Sequence, residues 1–306
     1  MRFARDLSLQ PPAASRLGIA VSGGPDSLAL LLLAASAHPG GIEAATVDHG
    51  LRADSADEAK MVAEVCASLN IPHATLPITI GRGSSMQAQA REVRYAALAE
   101  WAGARNLAAV LTAHHADDQA ETLLMRLARG AGVGGLAGVR SAYRQTSGVL
   151  FLRPLLGWRK HELAAIVDAA GLTAAHDPAN RDERHDRTRA RAFLAGRTWP
   201  DPLKLAQSAH HLAEAEEALA FTAEQLGRER IEADGRALII SVADLPPELQ
   251  RRLLLNAMRR LGADAPRGPD IHRALQTLRT GGTCTLAGLQ LHGGEHWRVQ
   301  PAPPRR

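Results

Sequence analysis

Leu17-Gly18-Ile19-Ala20-Val21-Ser22-Gly23-Gly24-Pro25-Asp26-Ser27-Leu28-Ala29-Leu30-Leu31 sets an apolar run, a glycine-rich turn and a second apolar run in immediate succession. The run Leu17 to Val21 predicts a buried strand, and the run Leu28 to Ala35 predicts a helix. A strand that feeds such a turn straight into a helix aims several backbone N–H groups and the positive end of the helix dipole at one point, and that point suits a phosphate. Gly23 and Gly24 permit positive φ and close backbone approach. Pro25 fits a first helical turn, where its missing N–H is not needed, and Ser22 and Ser27 add hydroxyl donors. The loop is too short for the Walker pattern and lacks its lysine. Asp26 is the unexpected member, because a carboxylate beside a polyanion is repulsive unless a cation lies between them. Asp26 is therefore either a Mg²⁺ ligand or an acid favoured by the helix N-terminus.

In its order of strand, S-G-G-x-D-S and apolar helix, this segment resembles the PP-loop ATP pyrophosphatases. The resemblance implies ATP as co-substrate, cleaved between the α- and β-phosphates to AMP and pyrophosphate. Further apolar runs at Ile42–Val47, Leu107–Thr112 and Val149–Leu152 alternate with helical periodicity around Glu58–Leu69, Met86–Ala104 and Gln119–Ala128. This is the rhythm of an α/β fold with a doubly wound, mostly parallel sheet, in which ligands collect at the carboxyl ends of the strands. From Lys204 onward the pattern turns to helices over Leu205–Leu226, Glu248–Leu261 and Asp270–Leu278, with alternation enough for a small hairpin in Thr283–Val299. Residues 1–198 are thus expected to form the ATP-binding catalytic domain. Residues 199–306 would form a smaller, mainly helical domain, with Trp199-Pro200-Asp201-Pro202 marking the change. There is no internal repeat.

At 306 residues the chain exceeds the roughly 100–200 residues of an ordinary domain, and 45% hydrophobic residues supply a core. Aromatic residues make up only 3%, which limits any base-stacking surface. The formal charge is +4, with lysine only at Lys60, Lys160 and Lys204, so nearly every cation is arginine. Arginine's planar fork suits phosphate and hence a nucleic acid, and a bias toward Ala, Arg and Gly explains the composition equally well. Cys66 and Cys284 lie far apart, without zinc or C-x-x-C spacing, as in a reduced cytoplasmic protein. The apolar run Leu28–Ala37 is too short to span a bilayer, so no membrane association is expected.

Two polar clusters follow the strands, and two groups of arginines stand beside them in the sequence. Val47-Asp48-His49-Gly50-Leu51-Arg52 stands where a doubly wound sheet meets a nucleoside, or forms a turn before Gly50. Thr112-Ala113-His114-His115-Ala116-Asp117-Asp118-Gln119-Ala120-Glu121-Thr122 could ligate a metal or move a proton, and Asp118 with Glu121 also has the spacing of a capping box. Arg91 and Arg94 lie one turn apart beside Tyr95, and Arg187, Arg189 and Arg191 recur at intervals of two. A phosphate loop without lysine needs such positive charge from elsewhere, although a run like Arg181 to Arg191 is also what a solvated face looks like.

Together with Ala90–Tyr95 (A-R-E-V-R-Y), Arg129–Gly138 (R-G-A-G-V-G-G-L-A-G), Arg153–Leu156 (R-P-L-L) and Asp177–Asp182 (D-P-A-N-R-D), these clusters occur in the order found in the tRNA(Ile)-lysidine synthetases. The chain resembles that family over roughly its first 190 residues, and the helix opening Lys204-Leu205-Ala206-Gln207-Ser208 resembles the start of its C-terminal region. The resemblance implies a ligase that adenylates O2 of the wobble cytidine, position 34, in a CAU-anticodon isoleucine tRNA. The amine of free L-lysine then attacks C2, releasing AMP and switching decoding to AUA and charging from Met to Ile. It implies ATP binding at Ser22, Gly23, Gly24, Pro25, Asp26 and Ser27 with Mg²⁺ at Asp26, and an adenosine pocket at Val47, Asp48 and His49. Arg91 and Arg94 would contact phosphate or adenylate. Asp117 and Asp118 would hold the lysine ammonium, with His115 and Glu121 in the same cluster, and Arg187 and Arg191 would lie at the ATP or tRNA side. The C-terminal domain would contact tRNA, and a homodimer is compatible with all of this. The chain departs from the family's R-N-x-x-R in having Thr188 in place of asparagine. Its end at Arg306 also implies a reduced C-terminal tRNA-gripping region. Rival readings are a tRNA thiolase, which needs paired cysteines, a two-metal phosphoesterase using Asp48-His49 and His114–Asp118, and an ATP-regulated RNA-binding protein.

Overall fold

The computed structural model describes residues 2–8, 15–48, 54–79, 86–175, 186–196 and 199–303. The chain divides into two compact units, Met1–Ala213 and Glu214–Arg306. The first holds α1 (Arg2–Ser8), β1 (Leu17–Ala20), α2 (Pro25–Ala37), β2 (Ile42–Asp48), α3 (Asp54–Ser68), β3 (His73–Pro77), α4 (Met86–Ala104) and β4 (Ala109–Leu111). It continues with α5 (Ala116–Ala128), α6 (Val133–Leu136), β5 (Ala142–Arg144), β6 (Leu150–Leu152), α7 (Lys160–Ala169), α8 (Asp186–Leu194) and the first part of α9 (Pro202–Arg230).

Its six strands run in the order β3-β2-β1-β4-β6-β5, parallel except for β5. The chain winds outward from β1 on one side to β3 and then crosses to β4 on the other. The ends of β1 and β4 therefore form the switch point at which open sheets bind ligands. Alternation along β1 separates two cores: Ile19 packs with Leu28, Leu31 and Val62, whereas Gly18 faces the α4 side. A Cβ on Gly18 would meet the Trp101 ring at 2.6 Å, so glycine is what lets α4 lie against the sheet. Helix α2 buries Leu28, Ala29, Leu30, Leu31 and Ala34, because it is apolar almost all round and is enclosed by the sheet and α7. No helix among the described residues is long and apolar enough to cross a membrane.

The second unit contains the rest of α9, then β7 (Ile231–Asp234), β8 (Ala237–Ser241), α10 (Pro247–Arg260), α11 (Gly268–Arg279), β9 (Thr283–Leu286), β10 (Leu289–His292) and β11 (His296–Pro301). Its five strands form an antiparallel sheet in the order β7-β8-β11-β10-β9. Leu253, Leu254, Ala257 and Met258 of α10 and Ile271, Ala274, Leu275 and Leu278 of α11 share one core with Trp297 of β11.

One expectation changes here. The helices expected in the C-terminal region are present as α9, α10 and α11, but Thr283–Val299 is part of a five-stranded sheet rather than a lone hairpin, and β7 and β8 lie outside any strand read from the sequence. These strands are four to six residues long, and β7 follows α9 without a break, so no periodicity announces them. The compact units meet inside α9, at Ala213 and Glu214, and Pro202 opens that helix, a place proline favours.

Candidate active site

A cavity of about 1200 Å³ opens at the carboxyl ends of the parallel strands. It is lined by the loop after β1, by Thr46 and Val47 of β2, by the segment after β4, and by parts of α4, α5, α7 and α8. The phosphate loop is built as its sequence requires: Gly23 has φ of +81°, Gly24 is extended, and Pro25 begins α2. The Ser27 hydroxyl donates to the Gly24 carbonyl (2.9 Å) and accepts the Ser22 N–H (3.1 Å), so it braces the turn from within. The Ala175 N–H ties the Gly23 carbonyl at 3.0 Å.

Thr112 to His115 follow β4, with His115 extended (φ −128°, ψ −179°), and the two histidines meet different neighbours. His115, 3% exposed, caps α5 and has Nε2 3.5 Å from Asp26 and 3.6 Å from Asp118, with Nδ1 3.6 Å from Asp117. Burial works to lower its pKa, but the Asp117, Asp26 and Asp118 carboxylates prevail and raise it to about 10. It is an imidazolium at neutral pH. His114 has Nδ1 3.1 Å from Thr112 Oγ1, and burial together with Arg153, Arg91, Arg94 and Arg187 lowers its pKa to about 2. It is neutral.

The acids of α5 separate in function. Asp118 accepts the His115 N–H (3.1 Å) and Arg187 Nη2 (2.5 Å) and borders the cavity. Asp117 turns toward the start of α7, accepting the Lys160 N–H at 2.8 Å and facing Arg159 Nε at 3.3 Å; burial opposes its ionisation, but His115, that N–H and Arg159 hold its pKa well below the usual carboxylate range. Glu121, 3% exposed, receives Arg187 Nε at 2.7 Å and Arg191 Nε at 2.9 Å. The helix begins one turn earlier than a cap at Asp118 implies, which leaves Glu121 free to hold this pair of arginines. Arg187 and Arg191 share a face because α8 is helical, whereas Arg189 borders a separate, smaller cavity.

On the α4 side, Arg91 and Arg94 line the cavity with Tyr95, and their guanidinium carbons lie 4.9 and 5.9 Å from the Tyr95 ring centroid. Val47 lines the cavity. Asp48 does not, and its carbonyl accepts the Ile78 N–H at 2.8 Å beside β3. His49, Gly50 to Arg52 and the segment Asp177–Asp182 lie outside the described residues. Reading the motifs left Lys160, Asp168, Thr46 and Glu58 of the lining without a role. Lys160 is one of only three lysines, which is the one signal that could have singled it out.

Asp26 Oδ1 is buried and has no hydrogen-bond partner among the described residues. A hard cation that takes one carboxylate and fills its other positions with water and phosphate oxygens fits that atom. Among the described residues no group of three or more His, Cys, Asp and Glu side chains could hold a metal by themselves.

A family model described as a PP-loop domain matches residues 2–197. The tRNA(Ile)-lysidine synthase of Novosphingobium aromaticivorans is 48% identical, over 100% of this chain and 94% of that protein. The enzyme of that name from Zymomonas mobilis is 44% identical, over 97% of this chain and 92% of its own. Among solved structures, the U34-tRNA thiolase NcsA from Methanococcus maripaludis has a TM-score of 0.58 at 16% identity, over 69% of this chain and 78% of that one, a likeness of fold alone. With its PP-loop domain and these relatives over nearly its whole length, the chain belongs to the tRNA(Ile)-lysidine synthase family.

Proposed function

We propose that this chain is a ligase that joins L-lysine to the wobble cytidine of a CAU-anticodon isoleucine tRNA at the expense of ATP. The observation that carries the reading is that one cavity holds the phosphate loop and Asp118 together, with the His115 imidazolium between Asp26 and Asp118. Cytidine O2 attacks the α-phosphate, the bond to the β-phosphate bridge breaks, and pyrophosphate leaves. The lysine amine, having lost a proton, then forms the bond to C2, and the C2–O bond breaks with AMP carrying the oxygen away. Adenylation is needed because an amide-like oxygen is a poor leaving group until it is esterified.

The loop Ser22–Ser27 would hold the β- and γ-phosphates, and Val47 with Thr46 would line the nucleoside end, where Asp48 and His49 were also expected. Mg²⁺, held by Asp26, would neutralise phosphate charge. Arg91 and Arg94 would face phosphate. Of the two aspartates expected to bind the lysine ammonium, Asp118 borders the cavity and Asp117 does not, so Asp118, which also holds Arg187, would take that role. Glu121 would keep Arg187 and Arg191 in place beside it. The second unit would contact the tRNA, a homodimer is compatible with the reading, and the cytoplasm is where such a substrate is met.

The test supplies Mg²⁺, ATP, labelled lysine and an unmodified CAU-bearing isoleucine tRNA. The expected outcome is label on the wobble cytidine, with AMP and pyrophosphate formed in equal amounts to it. Formation of ADP, or an unlabelled tRNA with active reagents, would refute the assignment.

A further inference from the structure

Tyr95 and Arg153 have no part in the reaction as set out above. Tyr95, 7% exposed, packs against Phe151 with ring centroids 4.9 Å apart and planes tilted by 53°, and reaches the cavity. Two guanidiniums aim N–H groups at its phenolic oxygen, Arg91 Nη2 and Arg153 Nη2, each at 3.4 Å. Arg153 is 6% exposed, donates Nη1 to the Arg140 carbonyl at 2.7 Å, and leaves Nε buried without a partner. Among the described residues neither Arg91, Arg94 nor Arg153 is paired with a carboxylate.

Two consequences follow from elementary chemistry. With both lone-pair directions of the Tyr95 oxygen taken by donors, its own O–H points elsewhere, and no acceptor for it is found among the described residues. Arg153 is buried while Arg91 and Arg94 are exposed beside it, and three guanidiniums gathered without a counter-ion leave this side of the cavity ready to take an anion. Burial acts to raise the phenol's pKa, but Arg153 and Arg91 outweigh it and hold it below its ordinary value, which strengthens the O–H as a donor.

We propose that Tyr95 donates its O–H to a phosphate oxygen of a bound nucleotide, at a position separate from the phosphate loop, with Arg91 and Arg94 sharing the anion's charge. Arg153 is a positioning residue that acts through Tyr95. Phosphate fits because it offers several strong acceptor oxygens and a charge that arginine matches. It has two sources here, the α-phosphate of ATP and the backbone phosphate beside the target nucleotide, and the inference rests on the proposed reaction to the extent that both enter this cavity.

The experiment measures binding without turnover. Dissociation constants for ATP with Mg²⁺ and for a CAU-bearing isoleucine tRNA transcript are determined for the wild-type chain and for Tyr95→Phe, which keeps the ring on Phe151. Loss of a hydrogen bond to a charged group predicts about tenfold or greater weakening for one of the two ligands, and the affected ligand identifies the phosphate. Unchanged constants for both, or no binding of either by the wild type, overturn the proposal. Arg153→Lys should weaken the same ligand in the wild-type background and add nothing in the Tyr95→Phe background, whereas full additivity overturns the positioning role. If Arg153→Lys does not fold, Tyr95→Phe decides alone. A wild-type chain that binds both ligands but transfers no lysine would count against the proposed function and leave this test intact.

Discussion

The wall of the cavity formed by the phosphate loop and α5 differs from the wall formed by α4, behind which Arg153 lies, in how its charges are balanced. On the first, His115 lies among Asp26, Asp117 and Asp118, and Glu121 is matched by Arg187 and Arg191. On the second, Arg91, Arg94 and Arg153 surround a phenol, and the neighbouring His114 is kept neutral. The two histidines are adjacent in sequence, but His114 meets Thr112 and a group of arginines while His115 meets three carboxylates, so each lies in a different field. The first wall sets opposite charges against each other within the protein and leaves Asp26 Oδ1 for a cation. The second is completed by an anion.

That contrast can be broken most forcefully at Asp26. Asp26→Ala should reduce the formation of AMP and pyrophosphate by about 100-fold or more, as loss of a group that stabilises transferring charge does, with little change in thermal midpoint. Normal turnover in this variant would mean that the loop works without its acid.

The next largest effect is the opposite pH response of the two histidines. The folded state of His115 keeps its proton up to about pH 10, against an ordinary value of 6.5, so its stabilising contribution is whole below pH 6.5 and disappears as pH rises through 10. His114, lowered to about 2, refuses a proton that the unfolded chain accepts, so stability falls as pH drops from 6.5 toward 2. In denaturant unfolding, His115→Gln should flatten the alkaline limb and His114→Gln the acid limb. Identical profiles for the two variants would erase the distinction between the walls.

A smaller effect is expected at Glu121. Glu121→Gln removes the charge that Arg187 and Arg191 share and should lower stability by about 1.5–3 kcal/mol, read from chemical denaturation. The smallest is expected at Arg91, which has no carboxylate partner among the described residues and is exposed. Arg91→Met should change the stability of the empty protein by no more than about 0.5 kcal/mol. A larger loss there would show that the second wall is also balanced from within.

Much of the first unit is legible in the order of residues. Leu17–Asp26 contains its own strand, turn and helix start, and each of the central strands is an apolar run bounded by polar residues. The edge strand His73–Pro77 and the antiparallel strand Ala142–Arg144 are not legible, because partly exposed edges lack an apolar signature. In the second unit, short strands beside amphipathic helices left the sheet hidden. At the site, the residue types were readable but their partners were not: Asp117 and Asp118 look equivalent in sequence, and only the approach of α7 gives Asp117 to Lys160 and leaves Asp118 to the cavity.

The Ser22–Ser27 turn was decided locally, since positive φ at Gly23, extended backbone at Gly24 and proline at the helix start depend on short-range sterics that the residues carry wherever they are placed. Charge and pairing were decided by the fold. Glu121 meets Arg187 across 66 positions, Arg153 meets Tyr95 across 58, and His114 and His115 take opposite protonation states because each answers to groups that the folded chain brings near it in a poorly solvated interior.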